Sequence, residues 1–431
     1  MKSISKILLL LLIAPLAAGA QSLNLRFSTY VYGWERFDTI GPNATSTTYM
    51  RGYQNLLLET SKDKWSLNTL IQTEEELAGE SDDKFNYRFY NLYIKGTNLF
   101  NALDLKLGRQ YLFAGVGRGA VDGIHFKIKA GKNKEYQLTG FGGALTPYDY
   151  EFKEYNSLSD NYIFGGQFTY YGVKDLSLAL SYMNKRRQTD SYYALRVDSV
   201  FNTSQVLIER DLVTDELAGF DFNYSYLQKY YFYGKAYYDV KSRKLYKGEF
   251  NARAGVIDNL SLWAGYTYRE PQISYNTIFW VFNYKQNQEI EGGADYSFKN
   301  GINAFARVGA VIYDNDNSLK FQAGFNHPSY GISFTKYTGY AGESDGAYGY
   351  YYREILKSKL SATAAASYSS YSLGDYNTER VNAFSGMLGV TFRPDPRFTI
   401  DAQGQFITNR IYKFDTRFLV GLSYWFFKKF Q

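Results

Sequence analysis

The stretch Leu319-Lys320-Phe321-Gln322-Ala323-Gly324-Phe325-Asn326 decides the fold. Its odd positions are apolar and its even positions are polar or glycine. In an extended chain this period of two sends each class to its own face of a sheet. The pattern recurs along the whole chain. Leu260, Leu262, Ala264 and Tyr266 alternate with Ser261, Trp263, Gly265 and Thr267. Ala218, Phe220, Phe222 and Tyr224 alternate with Gly219, Asp221 and Asn223, and Ile124, Phe126 and Ile128 with His125, Lys127 and Lys129. Leu103, Leu105 and Leu107 alternate with Asp104, Lys106 and Gly108; Leu176 to Tyr182 and Phe418 to Phe426 repeat the theme. One such strand would also suit a soluble sandwich. Repetition with few charges on the apolar face points to lipid outside and water inside, because a Lys or Arg on a lipid face costs roughly 2–4 kcal/mol at the bilayer midplane.

Composition agrees. With 44 Tyr and 32 Phe, aromatics make up 19% of the 431 residues, as the aromatic girdles of a transmembrane barrel require. There is no cysteine, so neither disulfides nor a lipoprotein anchor is available, and closed backbone pairing is the expected source of cohesion. The 48 Lys and Arg, two of them near the amino terminus, face 42 Asp and Glu with no basic stripe, which argues against a nucleic-acid partner. Lys2, Lys6, the apolar run Ile7 to Pro15 and Ala18-Gly19-Ala20 read as a signal peptide over residues 1–20. That run is about ten residues, against the roughly 20 a spanning helix needs. Residues 21–431 show no linker or change of composition and are read as one outer-membrane domain.

The expected fold is all-β: an antiparallel up-and-down transmembrane barrel, with a best count of 22 strands and 18 or 20 as the alternatives. Short connections, such as Ser61 to Lys64, Ile257 to Asn259, Lys299 to Gly301 and Arg393 to Arg397, should lie in the periplasm. Long ones, such as Phe37 to Thr48, Leu145 to Asn161, Arg187 to Asp211, Pro271 to Gln286 and Tyr340 to Ala347, should be extracellular. An even count places both chain ends on the periplasmic side.

Leu107-Gly108-Arg109-Gln110, followed by Gly115 to Gly119 and by Val121-Asp122-Gly123, resembles a hairpin of porin-like barrels, most nearly the alginate-export type of outer-membrane porin. That resemblance implies diffusion or export of a polar, often anionic, solute through one barrel. The last strand carries Gly421, Tyr424 and Phe426, a spacing that resembles the recognition signal of the barrel-assembly machinery; Val420 precedes the glycine and the chain runs on through Phe427 to Gln431.

Parity places Lys106, Lys127, Lys129, Lys247, Glu249, Arg253, Arg269, Glu289, Glu291, Asp295, Arg307, Lys320, Asp401 and Gln403 on the lumen face, where solute contacts would be made. Each could equally be a cross-strand ion pair that stiffens the wall. Arg109 shares parity with the outward leucines, which requires a place above the bilayer or a bulge. A barrel of 22 strands without a plug needs its bore narrowed. Tyr231, Tyr233, Tyr237 and Trp263 point inward, and the segment Tyr275 to Tyr284, apolar on both parities, is the expected constriction through Ile278, Phe279, Trp280 and Phe282. His327-Pro328-Ser329-Tyr330-Gly331 has the His-x-Ser-x-Gly spacing of outer-membrane phospholipases without their asparagine, and reads better as a turn. Asp314 to Asn317 lacks the glycine and glutamate of a calcium loop. No enzyme activity, cofactor or metal is expected. The expected partners are outer-membrane lipid and lipopolysaccharide, the barrel-assembly machinery and a small polar solute. The leading function is a passive or weakly selective porin; the alternatives are an adhesive barrel with surface-binding loops, a transporter of hydrophobic compounds and, last, a phospholipase-like enzyme.

Overall fold

A computed structural model describes residues 19–38, 46–78, 85–153, 157–188, 191–197, 203–208, 213–271, 286–313, 317–339, 343–372 and 379–430. The strands in chain order are β1 (Ser22–Asp38), β2 (Ser46–Lys62), β3 (Trp65–Ala78), β4 (Phe85–Leu99), β5 (Leu103–Ala114), β6 (Gly117–Ala130), β7 (Tyr136–Leu145) and β8 (Asn161–Tyr170). Next come β9 (Leu176–Arg187), β10 (Tyr192–Val197), β11 (Thr203–Ile208), β12 (Val213–Tyr226), β13 (Tyr230–Asp239), β14 (Lys244–Ile257), β15 (Leu260–Arg269) and β16 (Asn287–Ser297). The last are β17 (Asn303–Ile312), β18 (Asn317–His327), β19 (Tyr330–Gly339), β20 (Glu343–Leu356), β21 (Leu360–Ser372), β22 (Val381–Phe392), β23 (Phe398–Thr408) and β24 (Tyr412–Lys429).

Twenty-two of these form one antiparallel sheet in chain order, and β1 pairs with β24 to close it. The expected count of 22 strands holds. The β10–β11 hairpin stands apart as its own two-stranded sheet between β9 and β12. Closure joins the first strand to the last, so the sheet has no open end, which is the condition for crossing a bilayer with strands.

Two-residue turns such as Asp63-Lys64 and Asp258-Asn259 gather at one rim, with Asp63 and Asn259 in the left-handed region that their short polar side chains tolerate. Gln21 and Phe430 lie there: the Gln21 amide donates to the Ser61 carbonyl and the Phe430 amide to that of Gln21. The connection expected over Tyr340 to Ala347 is shorter than that range. Glu343 already begins β20, and Ser344 pairs with Tyr337, so Gly346 and Gly349 are strand residues.

The apolar parity faces outward. Leu180 is 60% exposed and Leu388 69%, and Phe321, Ile332 and Phe334 stand on the same side of the wall. This hydrocarbon-facing surface and the closed strand order make the chain a multi-pass barrel of outer-membrane type. Leu180→Arg therefore destabilises the folded barrel by about 2–4 kcal/mol, which a urea titration in phospholipid vesicles measures as a lowered midpoint.

One hairpin departs from the cylinder. Gly108 pairs with Gly123, and Gly123 with Gly143. A Cβ on Gly108, whose φ is +123°, would lie 2.3 Å from the Leu92 carbonyl oxygen, and one on Gly123 would lie 2.1 Å from that of Gly142. Only glycine permits the three strands to bend together here. Beyond this hinge the tips of β5 and β6 fold into the barrel. Leu112, Ala114, Val116 and Val121 bury against Phe141, Leu145, Ile163, Met183 and Leu217 on the inner face of β7, β8, β9 and β12. The Val116 amide donates to Ser181 Oγ at 3.1 Å, fastening the tip to β9.

Candidate functional site

The site is the lumen wall. Inward positions of β12 to β18 form a ladder of both signs. Glu249 accepts Lys235 at 2.8 Å and Lys247 at 2.6 Å; Glu291 accepts Lys320 at 2.6 Å, with Glu289 3.6 Å from the same ammonium. Asp295 stands between Arg253 at 3.7 Å and Arg307 at 3.8 Å. Tyr237 donates to Asp221 at 3.1 Å. Lys235–Glu249, Arg307–Asp295 and Tyr237–Asp221 bridge adjacent strands, Lys320 and Arg253 reach across one intervening strand, and Lys247 pairs within β14, so together they stiffen the wall while leaving polar atoms facing water.

The wall formed by β4 to β6 differs. Lys95 pairs in register with Lys106, and Lys106 with His125, while Lys127 lies opposite Asp104. Asp104 is held by Lys129 at 2.9 Å. Among the described residues Lys95, Lys106 and Lys127 form no ion pair, although Lys106 lies 5.1 Å from the Tyr93 ring. Their uncompensated charge gives this sector a positive field.

The inward hairpin sits beside it. Phe113, 80% exposed, and Tyr111 lie on the face opposite the buried Leu112 and Ala114, and Arg118 Nε donates to the Tyr111 hydroxyl at 3.1 Å. With one face packed on the wall, the other faces the bore. Arg109 explains how the hairpin is held. Its guanidinium makes a bidentate pair with Asp122, both contacts at 2.7 Å, and donates to the carbonyls of Tyr150 at 2.7 Å and Glu151 at 3.2 Å. Phe152 stacks on it at 4.2 Å, and the Phe89 amide donates to the Tyr150 carbonyl. The segment after β7 thus covers the upper part of β4, which the departing hairpin leaves without a neighbour.

Of the other expected residues, Arg269 lies opposite Lys247 near the long-connection end of β15. Asp401 accepts Thr391 at 2.7 Å, and Gln403 donates to Met387 Sδ at 3.1 Å. Gly421 packs under Tyr30, Tyr424 of the last strand meets Phe398 of β23 in a tilted ring contact, and Phe426 pairs with Leu25 of β1. Ile278, Phe279, Trp280 and Phe282 lie outside the described residues, as do Asp314 to Asp316. His327 caps its own turn: Nδ1 accepts the Ser329 amide at 3.2 Å, and its carbonyl accepts the Tyr350 hydroxyl at 2.7 Å. Parity alone would have added Lys95 and Lys235 to the lumen residues. The packing of the hairpin was signalled only by apolar residues such as Phe141, Ile163 and Met183 at inward positions.

Neither a protein-family profile nor a curated protein matches the chain. Solved structures align with it over most of its length. The translocation pore of the P pilus usher PapC aligns at a TM-score of 0.48 and 9% identity, covering 94% of this chain and 99% of that one. Acinetobacter baumannii OccAB3 aligns at 0.42 and 10%, covering 94% and 99%. The outer membrane protein opdK of Pseudomonas aeruginosa aligns at 0.42 and 7%, with the same coverage. These identities transfer no residue roles, and the barrel assignment rests on this chain's own register.

Proposed function

We propose that the barrel is a water-filled outer-membrane channel passing small polar or charged solutes by passive or weakly selective diffusion. The observation that carries the proposal is the pairing of an apolar exterior with an inner wall of ionisable side chains of both signs. Such a wall keeps water in the lumen and offers a solute many shallow contacts in place of one deep site. The Lys95, Lys106 and Lys127 sector favours anions, which supports the solute charge implied by alginate-export-type porins. A long polyanion would want a continuous basic track, whereas β12 to β18 carry matched pairs; small solutes fit better.

The short-turn rim is assigned to the periplasm and the long connections to the cell surface, with lipid around the wall and lipopolysaccharide around the outer rim. Gly421, Tyr424 and Phe426 are assigned to recognition by the barrel-assembly machinery. No catalytic step is assigned to His327 and Ser329, since their contacts are those of a turn.

The test is conductance in planar bilayers across a potassium chloride gradient. The expected result is a steady open current with a mild anion preference, and Lys106→Glu with Lys127→Glu shifts the reversal potential toward cation selectivity. A correctly folded barrel, verified by its heat-dependent gel mobility, that carries no current would overturn the proposal.

A further inference from the structure

The barrel wall has one seam without a ladder. β4 pairs with β5 only from Leu92 and Arg109 downward, so Phe85 to Asn91, toward the long connections, have no β5 partner. Residues 146 to 153, which follow β7, fill the place as a strap. Among the described residues one backbone hydrogen bond joins the strap to β4, from the Phe89 amide to the Tyr150 carbonyl at 3.0 Å. Another joins it to β6, from the Thr146 amide to the Ala120 carbonyl at 3.1 Å. Side chains hold the rest. The Tyr150 ring lies 4.9 Å from that of Tyr90, and the Phe152 ring 4.7 Å from that of Phe89. Tyr90 turns to the bore, its hydroxyl on Gln72, whereas Phe89 pairs with Ile71 on the outer face. Tyr150 stands at a φ of +59°, in the left-handed region that bulky residues hold only where packing imposes it.

A strand ladder inside a bilayer cannot part, because its backbone groups would lose their partners in hydrocarbon. The strap gives up few backbone bonds on lifting, and its movement strands no charge. Arg109 Nη1 donates to the Tyr150 and Glu151 carbonyls, while Nε and Nη2 stay with Asp122 of β6. Lifting the strap therefore turns Nη1 from those carbonyls toward an incoming acceptor. The bore leads an anion to this place. Lys95, Lys106 and Lys127 line the wall below it on β4, β5 and β6, and the exposed Tyr111 and Phe113 offer apolar surface beside it.

We infer that the seam is a lateral exit through which single-tailed anionic amphiphiles pass between the bore and the outer leaflet, the strap being its door. The headgroup takes the place of the Tyr150 and Glu151 carbonyls on Arg109, and the tail slides between Phe89 and Phe152 into hydrocarbon. The inference rests on the channel reading for the way in and adds a second way out, for solutes that end in the membrane and not in water.

The test uses folded barrels in phospholipid vesicles and two tail-labelled fluorescent probes added outside: lysophosphatidate, and lysophosphatidylcholine, whose choline neutralises the phosphate. Albumin, too large for the bore, strips probe from the outer leaflet of the vesicle, so the fraction it cannot extract has crossed. The parent should move lysophosphatidate at least about tenfold faster than lysophosphatidylcholine, the factor that one charge-assisted hydrogen bond supplies. The decisive variant is Tyr90→Cys with Tyr150→Cys, bridged after folding by a short bis-thiol reagent; the parent has no cysteine, so only this pair reacts. Bridging should cut transfer to the rate of protein-free vesicles and leave the potassium chloride conductance unchanged, while the unbridged variant transfers at least as fast as the parent. Arg109→Ala, with the strap loosened and the headgroup contact gone, should move both probes at equal rates. Transfer that persists after bridging would mean that the probe travels along the bore axis and would overturn the inference, as would a parent no faster than protein-free vesicles. Seam-dependent transfer without an ion current refutes the channel reading alone; an ion current without seam-dependent transfer refutes the exit alone.

Discussion

Excising Tyr111 to Ala120 and joining Gln110 to Val121 through an Asn-Gly turn raises the single-channel conductance severalfold. Gln110 and Val121 are direct cross-strand partners, so a two-residue turn closes them without disturbing the register below. The Arg109–Asp122 pair lies beneath the cut and survives it. What is lost is the tip that lies on the inner face of β7, β8, β9 and β12 and projects Phe113, Tyr111 and Arg118 into the bore. Conductance scales with open cross-section, so removing a two-stranded obstruction has a larger effect than any single side chain. The excision also uncovers Phe141, Ile163 and Met183 to water, a cost that closed backbone pairing around the barrel tolerates. Heat-dependent gel mobility confirms folding before currents are recorded. An unchanged conductance in a folded variant would place the hairpin outside the path of ions and remove it from the channel's design.

The alternation of Leu319 to Asn326 and its repeats made the strands, their outward face and the closed topology legible, because a period of two has a single physical consequence in an extended chain. Turn residues such as Asp258-Asn259 separated the strands for a similarly local reason. The hairpin was not legible. Alternation tells which face of β7 and β8 carries Phe141 and Ile163, but not that Leu112 and Val121, distant in sequence, would cover that face. The contact between Val116 and Ser181 spans 65 residues and depends on the bend at Gly108 and Gly123. The surroundings of Trp263 were hidden for a related reason. Trp263 could be placed on the lumen face by parity, but its rest against Gly293 and its position between two arginines follow from registers across β14 to β17. Arg109 sits between these cases. Its parity with the leucines required a place above the bilayer or a bulge, and it follows Gly108, whose φ of +123° bends the strand as it leaves the wall.

Arg109→Ala loosens the hairpin and the segment after β7 together, while leaving the barrel closed. The Arg109 side chain is 1% exposed and that of Asp122 21%. Removing the guanidinium takes two charged hydrogen bonds from a partly buried carboxylate and a donor from the Tyr150 and Glu151 carbonyls. Breaking a buried pair by deleting one partner costs about 3–5 kcal/mol. None of these contacts belongs to the β1–β24 closure, so the loss falls on a local opening. Hydrogen exchange at the Phe89 and Val116 amides, bonded to Tyr150 and Ser181, reads that opening directly. Protection there should fall by about 10²–10³-fold, while amides in β1 and β24 keep theirs. Arg109→Lys retains the charge but not the planar fork, and its loss should be intermediate. Asp122→Asn keeps the shape but removes the charge from the bidentate pair, so protection should fall in the same direction as in Arg109→Ala. Protection equal to the parent's in Arg109→Ala would mean that the apolar contacts of Leu112 and Val121 hold the hairpin unaided and that the guanidinium pins nothing.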